Sequence, residues 1–196
     1  KFARQSTDFE LDMDGTIKST ARNAGILDIN MIPERTNHVK VLIFFDVGGS
    51  MDPYIKLCEE LFSALKTEFK HLKYFYFHNC VYESVWEDNR RRTQERFLVQ
   101  DIINKYSADY KVIFVGDATM APYEITNAGG SIEHWNEEPG GATIKRLCEH
   151  FDKVAWLNPV PDDQWDYTYS LCIIRELMDN RMFPLTLKGL EEGMSE

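Results

Sequence analysis

No apolar run in this chain approaches the roughly 20 residues a membrane-spanning helix needs, and no basic-then-apolar leader opens it. The expectation is a cytoplasmic protein with no membrane partner. Positive charge is scarce: 22 Lys and Arg stand against 32 Asp and Glu, a formal net charge of -10. That balance argues against general binding to nucleic acid or anionic lipid, which relies on basic surfaces, and favours cations or basic partner surfaces. Cysteine is sparse as well. Cys58, Cys80, Cys148 and Cys172 are scattered through apolar contexts with no Cys-x-x-Cys pair, so zinc and dithiol chemistry have no foothold and reduced thiols are expected. Internal repeats and low-complexity tracts are missing. Lys1 in place of Met reads as the start of a piece excised from a longer chain.

What is present is a chain of 196 residues, 43% hydrophobic, enough for one domain with a real core and an arm. It is organised around Val39-Lys-Val-Leu-Ile-Phe-Phe-Asp-Val-Gly-Gly-Ser-Met-Asp52. Residues 41–45 form an unbroken β-branched and aromatic run, the pattern of a strand covered on both faces. Asp46 stands at its end. Gly48 and Gly49 permit a sharp turn, and Ser50, Asp52 and Pro53 carry the chemistry of a helix start. In open α/β sheets ligands sit at the carboxyl ends of the strands, which makes Asp46, Ser50 and Asp52 candidates for a site.

Further along, the spacing of Ile55, Leu57, Leu61, Phe62, Leu65 and Phe69 predicts an amphipathic helix over 53–69. Residues 73–78 read as a strand with 80–86 as its hairpin partner, turned at Asn79. The charge run over 87–96 reads as a solvated loop, with Arg90 to Arg92 as a possible partner clamp. A helix is expected over 97–106 with Leu98, Ile102 and Ile103 inward. A second buried strand, 111–115, ends in Gly116-Asp117, and a third, 153–157, ends in Asn158-Pro159. Residues 131–135 read as a short edge strand, 140–151 and 167–178 as helices, and 182–183 as a last short strand before a weakly amphipathic tail. Residues 1–38 are a polar arm with strand-like pieces near 9–11 and 26–29 and a weak helix between. Residues 39–196 are the main domain. Strands alternating with helices give an α/β fold with a mostly parallel, doubly wound sheet and helices on both faces.

The order Asp46-x-Gly48-x-Ser50 after a buried strand resembles the metal-ion-dependent adhesion site of von Willebrand factor A (vWA) domains, Asp-x-Ser-x-Ser with Gly allowed in the middle. Leu11-Asp-Met-Asp-Gly-Thr-Ile17, Tyr76-Phe-His-Asn79, Val115-Gly-Asp-Ala-Thr119 and Ala155-Trp-Leu-Asn-Pro159 extend the likeness to the bacterial CoxE-like branch, over nearly the whole chain. The resemblance implies a vWA-type fold and a divalent cation, Mg²⁺ first, bound by the Ser50 hydroxyl and by Asp46 and Asp117 directly or through water. The family's Thr ligand would be Thr93, with Thr119 as fallback. Gly48 removes one hydroxyl of the fuller pattern, so a water or a partner's oxygen would replace it. The implied function is metal-dependent protein binding without catalysis. A partner would supply a carboxylate to the ion, and the wider role would be an adaptor for a MoxR-type AAA+ ATPase in remodelling or cofactor loading of a target enzyme.

Two enzyme readings compete. Gly48-Gly49-Ser50 is half of a Gly-x-Ser-x-Gly nucleophile elbow, and Asp117 with His134 or His150 would complete the order Ser, Asp, His. The second Gly is missing, and Asp52 in its place would oppose a developing oxyanion. Asp12-Met-Asp14-Gly15-Thr16 imitates the Asp-x-Asp-Gly-Thr signature of haloacid-dehalogenase phosphatases, but residues 7–11 are too polar for the buried strand that chemistry needs. The plainer reading makes Asp12 and Gly15 a turn or helix cap, and Asp117 a cap for the segment at Ala121-Pro122.

Overall fold

The computed structural model describes residues 9–22, 29, 31–33 and 39–195. In the arm, β1 (Phe9–Leu11) leads into α1 (Met13–Arg22) and pairs antiparallel with β2 (Met31–Pro33). The Gly15 amide donates to Asp12 Oδ1 at 2.9 Å, so Asp12 caps α1 as the plainer reading had it. Of the strand-like piece expected near 26–29, all but Ile29 lies outside the described residues, as does the side chain of Asp14.

The main domain runs β3 (Lys40–Asp46), α2 (Ile55–Glu68), β4 (His71–Phe77), β5 (Ser84–Val85), β6 (Phe97–Leu98), α3 (Val99–Lys105), β7 (Lys111–Val115), α4 (Pro122–Thr126), α5 (Gly140–His150), β8 (Lys153–Asn158), α6 (Tyr169–Leu177), β9 (Met182–Pro184) and α7 (Leu187–Ser195). Five strands form one parallel sheet in the order β4-β3-β7-β8-β9. Its three central members are the buried runs visible in the sequence: β3 and β7 are buried from their second residue onward, and so is β8. No helix among the described residues is long and apolar enough to cross a membrane.

Alternation along each strand divides the core in two. Val41, Ile43 and Phe45 pack with Leu61 and Leu65 of α2 and Leu190 and Met194 of α7. Leu42 and Phe44 face the other way, with Ile102 of α3, Ile144 of α5 and Ile174 of α6. The reason is the handedness of parallel crossovers. The chain moves from β3 to β4 in one direction and from β4 onward in the other, and a right-handed connection must then change faces. The result is an α/β sheet with helices on both sides. Phe44 lies between Phe75 and Phe114, with ring centroids 5.5 and 5.3 Å away, and Phe114 stacks on Trp156 at 5.3 Å. Each such fully buried ring contributes roughly 1.5–3 kcal/mol over an exposed one.

Several local expectations need correction. The hairpin partner of β4 reduces to bridges at Tyr76–Trp86 and His78–Cys80, because β5 pairs with β6 instead. Phe97 and Leu98 are strand rather than helix, and Leu98 is 51% exposed while Val99 takes the inward place. Residues 131–135 form bends, not a strand, held by side-chain bonds such as Asn136 Oδ1 accepting from the Ser131 amide at 2.8 Å. Asp117 does not cap α4: the Ala121 amide donates instead to Glu124 Oε1 at 3.2 Å.

Candidate functional site

Strand order reverses between β3 and β7, so the loops leaving these neighbours diverge and open a crevice at their carboxyl ends. Asp46 is the last residue of β3, and Asp117 follows β7 by two residues. Both are buried, at 6% and 3% exposure. Asp46 Oδ1 accepts the amides of Gly48 at 2.8 Å and Asn79 at 2.9 Å. Its Oδ2 lies toward Gly116, where an added Cβ would stand 2.9 Å from Asp46 Cβ and 3.2 Å from the Trp156 ring. Glycine at 116 is therefore what lets the carboxyl lie across the end of β7.

Burial pushes the Asp46 carboxyl up to about 7 despite its two amide donors, and the nearby charges of Asp117 and Glu124 push in the same direction. Thr119 stands against Asp117, its hydroxyl donating to Oδ2 at 2.7 Å and its amide to Oδ1 at 3.1 Å.

The Asp117 loop is held from below. Three successive carbonyls, of Gly116, Asp117 and Ala118, accept from the Trp156 indole at 2.7 Å, the Asn158 side chain at 3.0 Å and the Ser170 hydroxyl at 2.7 Å. Ala118 is left-handed, with φ of 57°, and these bonds hold that turn in place. The Trp-Leu-Asn segment of β8 is in this way the support of the acid on β7.

A third carboxylate lies deeper. Glu124, 2% exposed, accepts from the Tyr82 hydroxyl at 3.2 Å, from Asn79 Nδ2 at 3.2 Å and from the Ala121 amide. Asn79, itself left-handed with φ of 56°, therefore joins Asp46 through its backbone and Glu124 through its side chain. Reasoning from the sequence did not single out Glu124, Tyr82 or Ser170 for the site. A Glu two residues after Pro122, at the third position of a helix, was the one available signal for Glu124.

The other expected residues are placed as follows. Ser50 sits on the exposed 3₁₀ turn Gly49–Tyr54 that begins three residues after Asp46. Thr93 is exposed in the charged loop, and no hydrogen bond among the described residues joins it to Asp46 or Asp117. Of the two candidate threonines the structure brings Thr119, not Thr93, to an acid. Neither histidine of the hydrolase reading is beside Ser50. His134 Nδ1 is 3.2 Å from Ser131 Oγ with Nε2 2.8 Å from Glu83 Oε1, and His150 Nε2 donates to the Tyr106 carbonyl at 2.9 Å. Asp12 follows β1 of the antiparallel ribbon, not a strand of the parallel sheet.

Does this donor set fit a divalent cation? Among the described residues no three His, Cys, Asp or Glu side chains gather closely enough to hold an ion by themselves. Glu124 is already occupied by three donors. The pair Asp46 and Asp117 supplies the oxygen chemistry a hard cation takes, and Mg²⁺ commonly uses only one or two protein carboxylates and keeps several waters. None of the protein-family models, curated proteins or solved structures compared with this chain matches it.

Proposed function

We propose that the chain is a vWA-type protein-binding module in which Asp46 and Asp117, with the Ser50 hydroxyl, hold a divalent cation, Mg²⁺ first. One observation carries the reading: two buried carboxylates end adjacent parallel strands at the point where strand order reverses, one of them pushed up to about 7 by burial and by its acidic neighbours. Carboxylates so placed repel in the absence of a counter-charge, and a bound cation would supply it. Thr119 serves as the threonine of the site by way of Asp117. With two protein carboxylates and one hydroxyl as ligands, the shell has room for water or for a carboxylate from a partner protein.

In the wider role the module is an adaptor for a MoxR-type AAA+ ATPase acting on a client enzyme, and it has no catalytic step of its own. The test is a pull-down from the native host in Mg²⁺ and in EDTA, followed by calorimetry with the protein recovered. Metal-dependent capture, weakened by Asp46→Ala and by Asp117→Ala in folded protein, is the expected result. Equal affinity in Mg²⁺ and EDTA would remove the ion from the contact.

A further inference from the structure

A cleft of about 420 Å³ opens at the loop that follows β3, bordered by α2 and sharing Asp46 with the acid crevice. Its walls are apolar and aromatic: Phe45, Phe62 and Tyr76 line it, with Ile55 and Met51 from the turn and α2. Phe45 and Phe62 meet edge to face, with centroids 5.7 Å apart, so the aromatic wall is a packed surface and not a set of free side chains. Among the described residues the charged groups that line the cleft are acidic: Asp46, buried, with Asp52 and Glu59 exposed. No Lys, Arg or His among the described residues lines it. Lys66, which lies over the Phe62 ring at 5.6 Å, is not among the lining residues. Cys58 adds no charge, because burial and the neighbouring acids Asp46 and Glu59 push its thiol up to about 11.

We infer that this cleft receives an arginine side chain of a protein partner, the aliphatic stem and planar guanidinium lying against Phe45, Phe62 and Tyr76 with the cation between Asp52 and Glu59. Three features select that occupant. The volume lies in the range of small ligand pockets and is ample for one long side chain. Aromatic faces attract a cation and stack well on a planar one, which favours guanidinium over ammonium. Two exposed carboxylates suit a donor fork that can address more than one oxygen. A neutral apolar ligand would fill the walls and leave the acids unused, and an anion would be repelled by three of them. That the guanidinium belongs to a protein partner rests on the protein-binding reading above. The cleft's preference for it does not, and titration in EDTA separates the two.

The experiment is a titration of the whole chain, in EDTA at low salt, with N-α-acetyl-L-arginine amide, followed by amide chemical shifts in ¹H–¹⁵N spectra. Saturable shifts at Ile55, Cys58 and Tyr76 are expected, with at least tenfold weaker binding of N-α-acetyl-L-citrulline amide, the neutral analogue, and weaker binding of the lysine amide. The double substitution Asp52→Asn with Glu59→Gln, both at exposed positions, should cut affinity at least fivefold while leaving the rest of the spectrum in place. No saturable shift, equal binding of the citrulline probe, lysine binding as tight as arginine, or an unchanged affinity in the double variant would each overturn the assignment. If the arginine probe binds in EDTA while Mg²⁺ leaves melting unchanged, the metal reading fails and the cleft stands; the reverse pattern removes the cleft alone.

Discussion

Asn79 occupies the space that a side chain on Gly48 would need: a Cβ there would run into Asn79 Oδ1 and stand 3.2 Å from Asp46 Oδ1. The glycine that departs from the Asp-x-Ser-x-Ser pattern is thus matched to an asparagine 31 residues later in the chain, which holds Asp46 from the other side. Gly48→Ser should destabilise the fold by about 1–3 kcal/mol through this overlap. Asn79→Gly keeps the backbone donor and the left-handed turn while emptying the space, so the double variant should recover part of the loss. Urea denaturation of the four proteins gives the coupling; additive effects would show that the two positions are independent.

Asp46 makes stability depend on pH in a defined direction. Its folded carboxyl lies at about 7, above the roughly 3.9 of an unfolded Asp, so the folded state binds the extra proton in that window. Its contribution is fully present below about pH 4 and is lost as pH rises through about 7, because the unfolded state there holds fewer protons than the folded. The swing is on the order of 4 kcal/mol at most. In EDTA, wild type should therefore lose stability relative to Asp46→Asn between pH 4 and 7. Parallel stability curves for the two proteins across that range would contradict the assignment.

Divalent cation should reverse the trend. If Asp46 and Asp117 share an ion, Mg²⁺ at 100 times its Kd raises stability by about 2.7 kcal/mol, and the gain grows with pH as the carboxyl gives up its proton. Asp46→Ala and Asp117→Ala should each abolish it. Identical melting curves in Mg²⁺ and EDTA at pH 7.5 would count against the metal reading.

Glu124 is a carboxylate surrounded by donors, and Glu124→Gln sets a new N–H₂ against the Asn79 amide, the Tyr82 hydroxyl or the Ala121 amide. One clash of donors in a site this buried should cost about 1–3 kcal/mol. Tyr82→Phe, which removes a donor without adding one, should cost less. Chemical denaturation ranks the two; a neutral Glu124→Gln would contradict this account of the donors around Glu124.

Asn158→Leu tests the support of the Asp117 loop. It removes the donor to the Asp117 carbonyl and the acceptor for the Val160 amide at 2.8 Å. One buried and one part-buried backbone group left without partners should cost about 1–3 kcal/mol together, and the Mg²⁺-dependent gain should shrink because Asp117 loses its fixed position. Loss of stability with the full Mg²⁺ effect retained would show that Trp156 and Ser170 suffice to hold the loop.

The unbroken apolar runs at 41–45, 112–115 and 154–157 were legible as central strands because a parallel sheet covered on both faces tolerates no polar interruption. Asp46 and Asp117 were legible for the same reason, as the first acids after such runs. The helices at α2, α5 and α6 followed from spacing and from Gly and Pro punctuation. Short elements were not legible. Two-residue strands such as β5 and β6 have no period to read, and whether Leu98 or Val99 points inward depends on which neighbour pairs with them.

The sequence by itself determined the layered α/β plan and the two acids, since both follow from local hydrophobic pattern. Only the tertiary structure decided which distant residues serve those acids. Asn79 joins Asp46 to Glu124, and Trp156, Asn158 and Ser170 pin three consecutive carbonyls of the Asp117 loop, across separations of up to 52 residues. Such partners are set by strand order and by the demand that every buried polar group find a mate. Neither leaves a periodic trace in the chain.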